Sequence, residues 1–190
     1  LGAAACLTGT DREKIEALVV DITSNGGGTN WYEPAARTLT PKPLRSAAFG
    51  FIRHPHWVRQ LKDRLEDAEN EIARMPDGKL KKLLIETAEN LRAEIREAET
   101  PCDRAPLWEN LKLDCSLVVP ASKPALPYAR PGEFQNESVL GMLFGASFYK
   151  YTEGVYAGRL LILVDQRTAS SSEAFTAILR DNDAARVLGQ

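Results

Sequence analysis

Residues 168–173, Thr-Ala-Ser-Ser-Ser-Glu, form a segment whose side chains can act on a carbonyl group. The segment follows the apolar run at 159–165 and precedes a helical apolar stripe. A serine at the start of a helix lies where free backbone N–H groups and the helix dipole favour negative charge. Its oxygen can attack a carbonyl carbon while the next N–H stabilises the oxyanion. The same residues also fit a helix N-cap with a capping-box glutamate, so the spacing alone leaves both interpretations open.

A second segment with chemical potential is a run of three glycines, Gly26 to Gly28. It follows Ser24-Asn25 and the apolar run at 18–22, Leu-Val-Val-Asp-Ile. Glycines permit positive φ and the close approach of another group to the backbone. Such a turn can bind phosphate or an oxyanion, although it lacks the lysine and the spacing of a P-loop. A plain tight turn explains the same residues.

Both segments follow runs that have the character of strands. The runs at 18–22 and 159–165 are short and apolar, which is typical of strands buried on both faces. A helical apolar stripe lies at 174–181, and another strand-like run lies at 186–188. Strands that alternate with helices predict an α/β domain, with each candidate segment directly after a strand.

Residues 57–99 have a different pattern. Apolar residues recur every three or four positions in two stretches, 58–75 and 80–98, which is a heptad seam. The Pro-Asp-Gly sequence between them signals a turn. We therefore predict an antiparallel helical hairpin. Its charged faces are either simply solvated or serve as a lid, a docking arm or a dimer contact.

Composition excludes several classes of protein. The chain has 190 residues, 44% of them hydrophobic, which suits one sizeable core and argues against disorder. Its 24 basic and 26 acidic residues exclude a nucleic-acid binder that depends on bulk phosphate attraction. No apolar run approaches the roughly 20 residues of a membrane span. Cys6, Cys102 and Cys115 lack zinc spacing; Cys102 and Cys115 can pair in an oxidising compartment or remain free thiols.

The remaining residues of interest are the two histidines and two aromatic residues. His54 and His56 are two metal ligands without a third, so we expect an ordinary role at the surface or at a helix start. A role for either histidine as the catalytic base is the alternative. Trp31 and Tyr32 can line a peptide groove, but we expect core packing. No metal or other cofactor is expected.

Together, and in this order, the two segments resemble peptidase family S41, the tail-specific or C-terminal processing serine peptidases. Residues 18–28 resemble the family's strand and Asn-x-Gly-Gly turn, and residues 161–173 resemble its strand and Ser-Ala-Ser-Ala-Ser-Glu nucleophile segment. The resemblance covers residues 11–36 and 155–190. It implies a crotonase/ClpP-like α/β core, here partial, and a peptide or protein substrate that is cut by a serine nucleophile.

The resemblance also implies roles for individual residues. Ser170, the middle serine, aligns with the nucleophile. The N–H of Ser171, where the family usually has alanine, would be one donor of the oxyanion hole. The N–H of Gly28 would be the other, with that of Gly27 as the fallback. Two acidic residues match supporting positions of the family: Glu173 and Asp181.

The chain departs from the family pattern in two respects. The family's lysine base lies farther beyond the nucleophile than the 20 residues that follow Ser170, so we expect the base beyond the chain end and no activity from this fragment alone. The link between the two motifs is also longer than expected. We therefore predict a core of residues 1–56 and 101–190, incomplete at its C-terminus, with residues 57–100 as the inserted coiled-coil-like hairpin.

Two functions follow. The first is a serine endopeptidase of the S41 class that hydrolyses peptide bonds through an acyl-enzyme. The alternative is a non-catalytic peptide-binding or scaffold protein that uses the hairpin to dock a partner. A crotonase-type acyl-CoA enzyme would share the oxyanion geometry, but it gives no reason for a Ser-Ser-Ser-Glu turn. The family's habit suggests a periplasmic or exported protein, and residues 57–99 are the expected site of any homo-oligomer or partner contact.

Overall fold

The structure is a computed structural model that describes residues 15–28, 30–47, 49–109, 112–121, 131–133 and 148–189. Cys6 and the first residues of the segment that resembles the peptidases lie outside the described residues. The chain divides into two compact units, one of residues 1–47 with 125–190 and one of residues 48–124. In chain order the elements are β1 (Ala17–Asp21), α1 (Tyr32–Thr38), β2 (Phe49–Ile52), α2 (Pro55–Arg74), α3 (Lys79–Glu99), α4 (Ala105–Trp108), β3 (Val118–Ala121), β4 (Arg159–Val164), α5 (Ser171–Asp181) and β5 (Arg186–Gly189).

The first unit contains a three-stranded parallel sheet. Its strand order is β1-β4-β5, with Val19 beside Leu161 and Leu161 beside Arg186. The predicted strands are present, but β1 is not buried on both faces as expected. It alternates between exposed and half-buried residues, and Val19 is 51% exposed; among the described strands, β1 pairs with β4 alone.

Helix α5 provides the core of the first unit. Its predicted apolar stripe is buried, and α1 packs against the same helix. Ile162 in the central strand β4 is also fully buried. The chain is therefore a mixed α/β protein in which the segment before α5 is anchored by a packed helix on one side and a central strand on the other. The buried residues of the α5 stripe are Ala174, Phe175, Ile178 and Leu179.

The second unit contains α2 and α3, which pack against each other along apolar residues. Two ion pairs join them, Lys62 with Glu99 at 2.6 Å and Glu69 with Arg92 at 2.6 Å. The order of these pairs is reversed along the two helices, as expected for helices joined by a short turn. The shared apolar cluster consists of Leu61, Leu91, Ile95, Ala98 and Val119.

A small antiparallel sheet of β2 and β3 belongs to the same unit. Ile52 lies opposite Val118, and Val119 contributes to the apolar cluster of the helices. The compact unit is thus larger than the predicted insertion of residues 57–100, because this sheet packs on the helices. The assignment of domains stays a prediction. Among the described residues, no helix is long and apolar enough to cross a membrane.

Arg53, directly after β2, is almost fully buried in the second unit. Its guanidinium donates hydrogen bonds to the carbonyl oxygens of Glu97, Thr100 and Ser116, and it forms an ion pair of 2.7 Å with the Glu97 carboxylate. Carbonyl groups at a helix C-terminus lack partners within the helix, so a cation there is favourable. Arg53 therefore links the small sheet to the end of α3.

Cys102 and Cys115, whose pairing the sequence left open, form a disulfide in the structure. The bridge closes the segment that contains α4. Within this segment Trp108 is 88% exposed. The disulfide therefore holds together a part of the chain whose tryptophan is exposed to solvent.

Candidate active site

The turns after β1 and β4 lie side by side at one edge of the parallel sheet. Pairing of the two strands continues past β1, because the Ile22 N–H donates to the Leu163 carbonyl oxygen at 3.0 Å. The two turns are then joined directly, since the Ala169 N–H donates to the Asn25 carbonyl oxygen at 3.1 Å. The glycine turn and the serine segment are thus brought together, as expected for segments that follow neighbouring parallel strands.

The Asp165 carboxylate connects the two turns. Its Oδ1 accepts from the Ser24 N–H at 2.9 Å and from the Arg167 N–H at 2.9 Å, and its Oδ2 accepts from the Ser24 hydroxyl at 2.9 Å. These hydrogen bonds lower the pKa of Asp165 from 3.8 to about 2, and the one from the Ser24 N–H has the largest effect. The carboxylate is therefore ionised at neutral pH, and both of its oxygens accept hydrogen bonds from the turns.

Thr168 forms a second connection between the strand ends. Its hydroxyl donates to the Ile22 carbonyl oxygen at 3.0 Å and accepts from the Asp165 N–H at 3.0 Å. Neither contact is visible in the sequence, where Thr168 is only part of a polar run. The available signal was the Asp-x-x-Thr spacing after a strand, which is typical of turns closed by side-chain hydrogen bonds.

Ser170 has a backbone conformation that is unusual for a residue with a side chain. Its φ is 57° and its ψ is −121°, immediately before the first residue of α5. Such conformations cost free energy and are concentrated at functional sites. Ser170 is exposed, and its side chain makes no capping hydrogen bond to the helix. The N-cap alternative therefore lacks its hydrogen bond, and the hydroxyl is accessible to another molecule.

Gly27 lies directly against Ser170. A Cβ at Gly27 would be 2.7 Å from the Ser170 Cβ and 2.8 Å from the Ser171 nitrogen. Its φ of 95° is also in the region that favours glycine. Gly27 therefore has two independent reasons to be glycine: the close contact with the serine segment and the positive φ of the turn.

The hydrogen bonds of the N–H groups near Ser170 distinguish Gly28, the predicted oxyanion-hole donor, from Gly27, the alternative donor. The Gly27 N–H donates to the Asn25 Oδ1 at 3.0 Å, so it is already used within the turn. The Gly28 N–H has no hydrogen-bond acceptor among the described residues. The Ser171 N–H is in the first position of α5, where an N–H has no partner within the helix. Among the described residues, the N–H groups of the two predicted donors, Gly28 and Ser171, are therefore without an acceptor, and their role as an oxyanion hole stays a prediction.

The two acidic residues predicted to support the site are in different positions. Glu173 is exposed in the first turn of α5, close in sequence to Ser170. Asp181 is the last residue of α5, ten residues after Ser171 and so about 15 Å away along the helix axis. Its carboxylate is bound to Arg180 at 2.9 Å. The structure therefore brings Ser170, Ser171 and the glycine turn together, but not Asp181.

The histidines are at a helix start in the second unit. His54 is the N-cap of α2, and its Nδ1 accepts from the His56 N–H at 3.1 Å, which is the helix-start role expected for them. No group of three His, Cys, Asp or Glu residues suited to a metal is present in the part of the chain that the structure describes. Trp31, in contrast, is 44% exposed, so the expected core packing of this residue was wrong.

Comparison with known proteins agrees with the motifs. The model of peptidase family S41 matches residues 3–190. No curated protein matches the sequence. Among solved structures, mature CPAF complexed with lactacystin is 18% identical, with a TM-score of 0.49 over 97% of this chain and 31% of that chain. Mature CPAF is 19% identical, with a TM-score of 0.48 over 97% and 31% of the two chains. The chain thus spans 31% of the length of these proteins. Since the family match extends over nearly every residue, the chain belongs to peptidase family S41.

Proposed function

We propose that the protein is a serine endopeptidase that hydrolyses peptide bonds in extended peptide or protein substrates through an acyl-enzyme on Ser170. The observation that carries the proposal is the position of Ser170. Its exposed hydroxyl precedes a packed helix, and the N–H of Ser171 and the neighbouring Gly28 are without an acceptor among the described residues. Membership of a peptidase family supports the same chemistry.

The proposed reaction begins when the Ser170 Oγ attacks the carbonyl carbon of the peptide bond and a general base takes its proton. The carbonyl oxygen becomes an oxyanion, which accepts hydrogen bonds from the N–H groups of Ser171 and Gly28. The C–N bond then breaks, the amine leaves with a proton, and Ser170 holds the acyl group as an ester. Water attacks this ester, which releases the acid and restores the hydroxyl.

The general base is proposed to lie in a part of the full protein that this chain does not contain. The resemblance to the family implies a lysine base farther along than the 20 residues that follow Ser170. His54 is a poor candidate, because its Nδ1 already accepts a hydrogen bond at the start of α2. We therefore expect residues 1–190 alone to be inactive, because a serine without a base is a weak nucleophile near neutral pH.

The fold proposed for the complete domain is a crotonase/ClpP-like core with α2 and α3 as an inserted coiled-coil-like hairpin. The parallel sheet, with both candidate segments at one edge, supports the first part. The reversed order of the ion pairs between α2 and α3 supports the second. A contact with another copy or a partner through residues 57–99 stays a prediction.

A periplasmic or exported location is supported by the bond between Cys102 and Cys115, because structural disulfides persist in oxidising compartments. Alkylation of thiols in intact cells, followed by non-reducing mass spectrometry, tests this proposal. A peptide pair linked through both cysteines is expected. If both cysteines are found alkylated, the proposed location is wrong.

The proposed activity is tested with a tagged fluorophosphonate, a reagent that phosphonylates activated serines, on the full-length protein. The label is expected on the peptide that contains Ser170. It should be lost in Ser170→Ala and retained in Ser172→Ala, a matched control in which a buried neighbouring hydroxyl is removed. Label that persists in Ser170→Ala would contradict the proposal. If the wild-type protein is unlabelled but binds a fluorescent unfolded polypeptide by anisotropy, the scaffold alternative holds.

A further inference from the structure

Asp165 and Ser24 are 141 positions apart in the sequence and are joined by two hydrogen bonds of 2.9 Å. The Ser24 end of the glycine turn is thereby attached to the strand that leads to Ser170. Resting on the proposed function, we propose that Asp165 is a positioning residue for the oxyanion hole. In this proposal it keeps the turn of residues 24–28 next to the serine segment, so that the N–H groups of Gly28 and Ser171 can donate to one oxyanion.

The backbone of Ser24 indicates why a charged acceptor is needed there. Ser24 has a φ of 59°, which is unfavourable for a residue with a Cβ. Asp165 stabilises this conformation by accepting from both the N–H and the hydroxyl of Ser24. The same carboxylate accepts from the Arg167 N–H in its own turn. One side chain therefore fixes the beginning of both turns.

Asp21 lies at the same carboxyl end of the parallel strands but has different hydrogen-bond partners. It is the last residue of β1, but within the described ranges its Oδ1 accepts only from the N–H and hydroxyl of Thr23, at 3.0 Å and 2.7 Å. Its bonds remain within its own turn. Asp165 is therefore the carboxylate that bridges the two turns, and Asp21 is a natural control for the general effect of removing a charge at this edge.

A change at Ser24 is expected to reach Gly28 through the short turn between them, whose residues Asn25 and Gly27 are joined to each other and to the serine segment. The Asn25 carbonyl oxygen accepts from the Ala169 N–H, and the Asn25 Oδ1 accepts from the Gly27 N–H. Gly27 already lies against Ser170, because a Cβ added at Gly27 would be 2.7 Å from the Ser170 Cβ. A turn released from Asp165 cannot move closer to Ser170, so we expect a displacement that lengthens the hydrogen bond from the Gly28 N–H to the oxyanion.

The test measures the inactivation of the full-length protein by the tagged fluorophosphonate, with the rate at saturation (kinact) and the half-saturation concentration (KI) determined separately. Asp165→Ala is expected to lower kinact about tenfold, less than the 10²–10³ that follows loss of an oxyanion-hole donor. KI should stay within about twofold of the wild-type value, since the developing charge is present only in the transition state.

A conservative variant separates positioning from a general structural effect. Asp165→Asn retains the Oδ1 acceptor for the N–H groups of Ser24 and Arg167, so kinact is expected to remain within about threefold of wild type. Asp21→Ala should give the wild-type kinact. Ser24→Ala, which removes only the hydroxyl bond, should lower kinact less than Asp165→Ala does, and it serves as the test variant if Asp165→Ala does not fold.

Several outcomes would overturn the inference. One is a wild-type kinact in Asp165→Ala, or in Ser24→Ala if Asp165→Ala does not fold. Another is an effect confined to KI, and a third is an equal decrease in Asp21→Ala. A wild-type protein that is not labelled at Ser170 would instead disprove the proposed peptidase function, and the inference with it. The two failures are thus distinguishable by whether the wild-type protein reacts.

Discussion

A Cβ added at Gly27 would lie 2.7 Å from the Cβ of Ser170, closer than side-chain carbons approach one another. The contact joins a turn at residues 24–28 to a serine that is more than 140 positions away in the sequence. It makes the shape of the glycine turn a condition for the position of the serine. The glycine is thus needed for the arrangement of the site as well as for the turn itself.

Gly27→Ala is accordingly expected to displace the turn from Ser170. The φ of 95° adds a strain of about 1–3 kcal/mol to the steric conflict. Labelling of the full-length protein by the fluorophosphonate should fall at least about 100-fold, as for loss of an oxyanion-hole donor. Gly26→Ala is the matched control, because a Cβ at Gly26 meets no atom within 4 Å. Equal labelling of the two variants would contradict the role assigned to Gly27.

The sequence predicted the residues that meet at this site better than the contacts that hold them. Ser170 and the glycines were found because strand-like runs precede both segments, and parallel neighbours bring their ends together. The link from Asp165 to Ser24 was not predicted, because a hydrogen bond between distant positions has no periodic pattern. Asp181 was matched by order along the chain, but the length of α5 places it at the other end of the helix.

The sequence pattern also did not predict how deeply each strand is buried. The runs at 18–22 and 159–165 are similarly apolar, yet among the described strands the first lies at the side of the sheet and the second lies between two neighbours. Which strand is central depends on the order of the strands in the sheet. The apolar runs alone would fit an order with either strand in the centre. β2 was not predicted, since its four residues include a glycine and show only weak alternation. Its partner β3 and the helices determine its conformation.

The hydrogen bonds of Asp165 predict a dependence of stability on pH. Because the folded-state pKa, about 2, is below the ordinary 3.8, the ionised carboxylate stabilises the folded protein at pH values above 3.8. This contribution should be lost as the pH falls from about 4 to about 2. The difference in urea midpoint between the wild-type protein and Asp165→Asn is expected to be constant from pH 5 to pH 7 and to shrink below pH 4. A difference that grows as the pH falls through this range would contradict the assignment.

The core beneath α5 can be tested with two leucines of the same unit. Leu179 in α5 is fully buried, whereas Leu188 in β5 is 46% exposed. Leu179→Ala should lower the free energy of unfolding by about 2–5 kcal/mol, because it leaves a cavity beneath the helix that begins at Ser171. Leu188→Ala should cost less than about 1 kcal/mol. The measurement is urea unfolding of both variants, and similar losses would show that α5 is not packed as described.

Arg53 and Arg92 are both paired with glutamates in the second unit, but in different surroundings. Arg53 is buried and bonds to three carbonyl oxygens in addition to Glu97, whereas Arg92 and Glu69 are each nearly half exposed. Arg53→Ala leaves carbonyl groups and the end of α3 without their donor, so it should lower the free energy of unfolding by about 3–5 kcal/mol.

Arg92→Ala is the matched control, and its cost should be about 0.2–1 kcal/mol, since exposed ion pairs are weakened by solvent. Arg53→Lys is expected to recover less than half of the loss, because one ammonium group cannot replace the planar guanidinium at several acceptors. Thermal unfolding of the three variants at low and high salt provides the measurement. Only the Arg92 pair should weaken with salt, and an equal sensitivity of the Arg53 variants would mean that the guanidinium is solvated instead of enclosed between β2 and α3.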